Sequence, residues 1–295
     1  MIKISVLTSL YRCEIYLEDF FRHVGLICNP SEVEYIFIHN DPLPKEKEII
    51  FRQLKLNEYI NYQYIEVERE SLYKSWNRGI IQAKGEFIAV WNVDDMRYPD
   101  SLLVQKEALC RNLSVGLIYG NFEIEANMKV SHVEVRCALN KIGIQKFQNG
   151  SFIMWRKAVH DAIGYFDEQL FIVGDQDFWY RITSLYQITK TSNNLGRFLF
   201  SSNSALSSNS SKNSIERCII LRRYGLWSPI NLINNLKIRN YYDCHNLYYF
   251  GERTELINVH KSLSTKHIIT LIKSIILTAL YLLNPNNKVF KERNF

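Results

Sequence analysis

Three observations predict an α/β fold built on a doubly wound, mostly parallel sheet. Short apolar runs alternate with amphipathic stretches, as strands joined by crossover helices do. The runs are too short for helices and nearly uninterrupted, which is the pattern of strands buried on both faces. Several end in a knot of polar residues, and open sheets of this kind bind ligands at the carboxyl ends of their strands.

Ile2 to Leu7 reads as a first strand, left through a polar turn, Thr8-Ser9-Leu10-Tyr11-Arg12. Apolar residues at helical spacing (Ile15, Leu17, Phe20, Phe21, Val24) predict a helix over Ile15 to Leu26. Tyr35 to Ile38 is a second strand ending in His39-Asn40-Asp41-Pro42. Lys45 to Leu56 is a charged amphipathic helix, Tyr62 to Val67 a third strand, and Leu72 to Ala83 a further helix. After Gly85, the run Phe87 to Trp91 is a buried central strand that stops at Asn92-Val93-Asp94-Asp95. Adjacent carboxylates repel, so a pair at the end of a buried strand points to a cation or a set of hydroxyls that uses both.

Ser101 to Arg111 is then helical, Gly116 to Glu125 a strand, and Asn127 to Gln148 irregular. Gly150 to Arg156 leads into a helix over Lys157 to Ile163. Asp175 and Asp177 open an amphipathic helix bearing Phe178, Ile182 and Leu185, a position where carboxylates also suit the positive helix end. Ser201 to Ser214 is low in complexity and reads as a loop.

With 295 residues and 47% hydrophobic content the chain can bury a substantial core. Its six cysteines show no metal-ligand spacing, which favours reduced thiols and a cytoplasmic setting and speaks against a zinc site or a disulfide framework. No signal-peptide pattern opens the chain. The net charge of +6 is uneven: residues 211–295 hold 13 Lys or Arg against 5 Asp or Glu, leaving the rest of the chain slightly acidic. That distribution argues against nucleic acid as a partner and toward an anionic surface near the C-terminus. Ile268 to Leu283 has 12 apolar residues in 16, interrupted by Lys273 and flanked by further lysines. It is short for a bilayer span of about 20 residues and reads as an interfacial helix on a membrane, with a buried helix or a dimer contact as the other reading.

Four segments in order resemble the inverting family 2 glycosyltransferases of the GT-A fold: SVLTSLYR, the strand ending IHND, SWNRGIIQAKGEFIAVWNVDDMRYPD, and GYFDEQLFIVGDQDFWYR. The resemblance covers roughly residues 2 to 205 and implies a GT-A domain over 1–210, with 211–295 as a helical, basic extension. It places Thr8 and Tyr11 beside a nucleotide base, with Asn40 or Asp41 hydrogen-bonding that base. It also assigns Asn77, Asn92 and Asp94 to the nucleotide sugar, Asp94 and Asp95 to a magnesium or manganese ion, and Asp175 to the catalytic base. Asn149-Gly150-Ser151 falls near the acceptor by the same likeness, a tight turn being the competing reading.

The chain departs from the family pattern in three places. Asn92 stands where the first Asp of the DxD motif is usual, Trp76 where an Arg is common, and no His lies near Ser202. Asp177 reads as structural. No QxxRW pattern follows Asp175, so one sugar per acceptor is expected. The implied function is transfer of a sugar from a nucleotide diphosphate to a glycan or lipid-linked acceptor in bacterial surface polysaccharide or lipopolysaccharide synthesis, on the inner face of the cell membrane. A catalytically silent nucleotide-sugar-binding protein of the same fold is the alternative, motivated by Asn92 and the missing His. A dinucleotide enzyme is disfavoured because no GxGxxG follows any strand.

Overall fold

The computed structural model describes residues 2–126, 129–135, 137–139, 145–147 and 151–200, together with Glu216 and Ile220. The chain divides into two compact units, 1–202 and 203–295. The interfacial helix expected at 268–283, the loop at 201–214 and Asn149-Gly150 lie outside the described residues.

The first half alternates as its pattern requires: β1 (Ile4–Leu10), α1 (Glu14–Val24), β2 (Val33–Asn40), α2 (Pro44–Leu56), β3 (Asn61–Val67), α3 (Leu72–Gln82) and β4 (Phe87–Val90). β5 (Met96–Arg97), α4 (Ser101–Arg111), β6 (Val115–Ala126), β7 (Lys129–Val133), β8 (Cys137–Leu139) and β9 (Gln145–Phe147) come next, then β10 (Met154–Arg156), α5 (Val159–Ile163), α6 (Gly174–Leu185) and β11 (Gln187–Leu199). The main sheet runs β3-β2-β1-β4-β10-β6-β11-β5, with β7 on β6. β3, β2, β1 and β4 are mutually parallel, whereas β10 enters antiparallel between β4 and β6. The sheet is therefore mixed, with a parallel half and an antiparallel-rich half.

Three local expectations are corrected, and one strand was not expected. The first strand continues through Thr8, Ser9 and Leu10, which pair with Phe37, Ile38 and His39, so the turn is confined to Tyr11 and Arg12. Ile15 lies on the outer face of α1, 81% exposed, while Leu17, Phe20, Phe21 and Val24 make the buried stripe. The stretch 127–148 contains three short strands rather than irregular chain. β11 had no signal at all: its polar, half-exposed residues show no alternation, and the strand exists because β6 and β5 pair with it.

β1, β2 and β4 are buried along almost their whole length, so the core lies on both sides of them. On one side α1 and α2 pack against Ile4, Val6, Leu10, Tyr35, Phe37 and Trp91, with Phe20 meeting the Trp91 ring edge-on at 5.1 Å. Each such side chain contributes about 1.5 to 3 kcal/mol by leaving water. On the other side Gly79 of α3 lies so close to Leu7 and Ile38 that an added Cβ would fall 2.8 Å from a Leu7 methyl. Gly85 sits against the backbone of Ser5, where an added Cβ would fall 2.7 Å from Ser5 N, which explains a glycine two residues before β4.

A second core, mostly aromatic, holds α6. Phe166 stacks on Phe178 at 4.2 Å and on Tyr73 at 5.8 Å, and Trp76, Trp155 and Trp179 meet Phe166 edge-on. Trp76, which replaces the Arg common in the family pattern, belongs to this cluster. Buried His160 accepts the Trp155 indole N–H at Nε2 (2.9 Å) and so carries its proton on Nδ1, which donates to Gly164 O (3.0 Å). Burial pushes its pKa down to about 4 against the hydrogen bond to Gly164, with the Arg181 charge adding to the depression.

The sign of the pH effect follows. Above about pH 6.5 His160 is neutral whether folded or unfolded; below it only the unfolded chain takes the proton, so stability falls until the pH passes about 4. His160 is expected to remove about 3 kcal/mol of stability across that window. Gln can both accept from Trp155 and donate to Gly164, so His160→Gln should flatten this part of the stability profile. Urea unfolding at a series of pH values checks it; an unchanged slope in the variant would refute the assignment.

Candidate active site

Because β1 is parallel to both β2 and β4, the chain leaves all three at one edge of the sheet. At the ends of β1 and β2, Arg12 and Asp41 face each other. Arg12 Nη2 donates to Asp41 Oδ2 at 2.5 Å and Nη1 to the Asp41 carbonyl at 2.9 Å. Both residues hold left-handed backbones, φ 48° and 45°, a conformation costing a non-glycine residue about 1 to 3 kcal/mol. The Tyr11 ring lies beside this pair, with the Arg69 guanidinium 3.5 Å and the Arg12 guanidinium 5.0 Å from its centre.

Asn40 and Asp41, left open by the sequence, differ in what they can offer. Asn40 is fully buried: its amide donates to Ser9 Oγ and Ser75 Oγ, and its oxygen accepts the Glu70 N–H. Its side chain fastens the β2 end to α3. Asp41 is exposed, with a carboxylate at the surface. Thr8 is fully buried and its hydroxyl has no partner, leaving one unused hydrogen-bonding group late in β1.

The knot after β4 is a tight turn closed by the Asp95 N–H on the Asn92 carbonyl at 3.1 Å. Within it the two carboxylates that the sequence treats alike are separated. Asp95 points inward, 6% exposed; its Oδ2 accepts from the Asn92 amide (3.1 Å), its Oδ1 from the Leu199 N–H (3.3 Å), and its carbonyl from the Trp91 indole (2.9 Å). Among the described residues Asp94 accepts only its own backbone N–H. Burial, and then the Asp94 charge, push the Asp95 carboxyl well above the usual carboxylate range; burial raises Asp94 as well.

Below the turn Arg97 is 1% exposed and donates to Val90 O (2.9 Å), the last residue of β4, and to the Gln105 side chain (3.0 Å). Burial lowers its pKa to about 9, so it stays protonated at neutral pH and counters part of the Asp95 charge. Asn92 fits beside Asp95 as a donor, where a carboxylate would only add repulsion.

A partly desolvated carboxylate of hard oxygens, with no side-chain partner among the described residues, fits a divalent cation such as magnesium or manganese. Among the described residues no group of three or more His, Cys, Asp or Glu side chains could hold a metal. Asp94 and Asp95 alone therefore make no complete ligand set; a cation there would need further oxygens, such as those of substrate phosphates.

Asp175 is the second residue of α6, half-buried, with Oδ1 accepting the Gln176 N–H at 2.7 Å. Its position is set by α3. Tyr73 donates its hydroxyl to Ile172 O (2.7 Å), and Gly174 abuts the Tyr73 ring so closely that a Cβ would lie 2.6 Å from it. Asn77 fixes the same loop, donating to Phe166 O and Glu168 and accepting the Phe166 N–H, all within 3.0 Å. Its side chain is spent on this bracing. Asp177 is fully buried and ion-paired with Arg181 at 2.9 Å, the structural role expected of it. Arg12, Arg69 and Arg97 were missed by the sequence reading; the only available signal was a cation flanking each polar knot.

This fold, with its carboxylate turn at the end of the central parallel strand, defines the GT-A class of nucleotide-sugar transferases. The glycosyl transferase family 2 model matches residues 5–164, and the chain belongs to that family. Solved structures share the fold. TarS of S. aureus superposes with TM-score 0.60 at 17% identity, over 82% of this chain and 43% of that one. Its 1–349 portion in complex with UDP-GlcNAc gives 0.59 at 14%, over 88% and 79%. Mannosyltransferase PcManGT of Pyrobaculum calidifontis, in complex with GDP-Man and Mn2+, gives 0.57 at 9%, over 98% and 83%. The chain thus spans less than half the length of the full TarS chain. No curated protein matches it in sequence. Among the described residues no helix is long and apolar enough to cross a membrane.

A carboxylate whose folded pKa is raised costs stability once the pH exceeds its ordinary value, because the folded state must then ionise against its surroundings. Asp94→Asn removes one such charge and relieves Asp95. It should raise the melting temperature of the ligand-free protein at pH 7 by a few degrees, for about 1 kcal/mol gained. Manganese with a nucleoside diphosphate should stabilise the wild type more than the variant. Thermal melts check both; a variant less stable than wild type at pH 7 would contradict the electrostatic reading.

Proposed function

We propose that the chain is an inverting, non-processive glycosyltransferase that moves one sugar from a nucleotide diphosphate sugar to a hydroxyl of a glycan or lipid-linked acceptor. The observation that carries this reading is a division of labour between two carboxylates: Asp94 in the turn after β4, with no side-chain partner among the described residues, and Asp175 at the start of a helix braced against α3. Complexes of similarly folded proteins with UDP-GlcNAc, and with GDP-Man and Mn2+, support the donor class and the cation.

In this reading Tyr11, Arg12 and Asp41 receive the base, Thr8 lies behind them, and Asn92 and Asp94 meet the ribose and diphosphate. Asn40 and Asn77 act by holding these loops. Asp94, supported by Asp95, would hold magnesium or manganese, which neutralises charge on the departing diphosphate. Asp175 takes the proton from the acceptor hydroxyl as its oxygen bonds to the anomeric carbon. The bond from that carbon to the diphosphate breaks on the opposite face, and the nucleoside diphosphate leaves with the electron pair. A single base with no carboxylate nucleophile gives inversion.

The proposal extends to the setting. The domain is 1–210, and the basic extension 211–295 attaches the enzyme peripherally to the inner face of the membrane, where lipid-linked acceptors for surface polysaccharide or lipopolysaccharide are presented.

Purified protein supplied with a panel of nucleotide sugars, manganese and lipid-linked acceptors should release nucleotide in an acceptor-dependent way. Asp175→Asn should lower that rate by about 100-fold or more while leaving donor binding within about twofold. Release no faster than the variant's would sink the enzymatic reading, and donor binding without turnover would favour the silent binding protein. Deleting 264–295 should free the protein from anionic liposomes; unchanged sedimentation would contradict the membrane role of the extension.

A further inference from the structure

One buried carboxylate, Glu46, touches both turns that carry the Arg12–Asp41 pair. Glu46 is the third residue of α2 and 0% exposed. Its Oε1 accepts the N–H of Cys13, the residue after Arg12, at 2.6 Å. Its Oε2 accepts the N–H of Leu43, two residues after Asp41, at 3.3 Å, and meets Nε2 of His39, two residues before Asp41, at 3.1 Å. His39 is itself fully buried and its Nδ1 is held by the Tyr64 hydroxyl at 2.6 Å. Burial alone would raise the Glu46 carboxyl, but the bonds from His39, Cys13 and Leu43 outweigh it and hold the group ionised.

The two residues so bracketed are both left-handed, a conformation that persists only where the surroundings over-determine it. Neither is glycine, so the backbone does not adopt it freely. Four positive-φ non-glycine residues occur among the described residues, and two of them are this ion pair.

We propose that Glu46, oriented by His39, is a positioning residue for recognition of the donor's base: it locks the β1–α1 and β2–α2 turns so that Arg12 and Asp41 present a preformed edge of one guanidinium and one carboxylate. This rests on the reading of that edge as the base site. Glu46 touches no substrate and acts only through the two turns. Its loss therefore weakens contacts to the base and leaves those to the diphosphate intact, because the latter depend on the turn after β4.

The experiment compares two probes in the full chain by calorimetry with manganese present: the nucleoside diphosphate that wild type binds best, and inorganic pyrophosphate, which has no base. Glu46→Gln, which keeps the volume and removes the charge, should weaken the nucleoside diphosphate about 10-fold and change pyrophosphate less than twofold. If Glu46→Gln does not fold, Glu46→Asp, one methylene too short to reach both turns, should give the same split. Equal weakening of both probes would mean a general structural role and overturn the proposal, as would no change in either. Wild-type protein that binds pyrophosphate but no nucleoside diphosphate would overturn the base site and this inference together. Wild-type nucleotide binding unaffected by either substitution would overturn this inference alone.

Discussion

Parallel pairing of β1 with β2 on one side and β4 on the other is the constraint on which the remaining chemistry depends. Parallel strands end at the same edge, so three separate turns meet there without any of them specifying the others. The ladders are buried on both faces and packed by Phe20, Phe21, Phe37 and Trp91, which leaves little freedom for the strand ends to shift. What distinguishes this protein is then written in the turns: a cation and a carboxylate after β1 and β2, and two carboxylates after β4.

Those turns are costly on their own terms. Arg12 and Asp41 have strained backbones, burial pushes the adjacent Asp94 and Asp95 carboxyls above the usual carboxylate range, and Thr8 carries a hydroxyl with no partner among the described residues. The surrounding fold offsets the cost with dedicated braces. Arg97 fixes the last carbonyl of β4 from below, and Asn77, Tyr73 and Phe166 hold the loop that carries Asp175. This is the arrangement expected of a site pre-organised for a charged ligand, in which stability is given up locally and recovered in the neighbouring core.

Much of this architecture was legible in the sequence because burial leaves a simple mark. β2, β3, β4 and α4 fall where short apolar runs and helical spacing put them, and Gly85 marked the entry to β4. The places that escaped are those where distant partners decide. β11 is a strand through its pairing with β6 and β5, and Leu10 joins β1 because a facing strand is there to receive it. In the site, the sequence supplied the residue types but not their direction. It could not say that Asp95 turns inward to Asn92 while Asp94 does not, nor that Asn40 is buried on Ser9, Ser75 and Glu70 while Asp41 lies at the surface on Arg12. Side-chain direction depends on contacts tens of residues away, and a local pattern carries no trace of them.

We propose that Asp94 is an incomplete metal ligand, completed by the donor's diphosphate. Electron paramagnetic resonance of manganese titrated into the protein, with and without a nucleoside diphosphate, tests this directly. Manganese is expected to bind weakly to the protein alone and as one tightly held ion per chain once nucleotide is added, an effect absent in Asp94→Asn. Tight manganese binding without nucleotide, or nucleotide-dependent binding that survives Asp94→Asn, would contradict it.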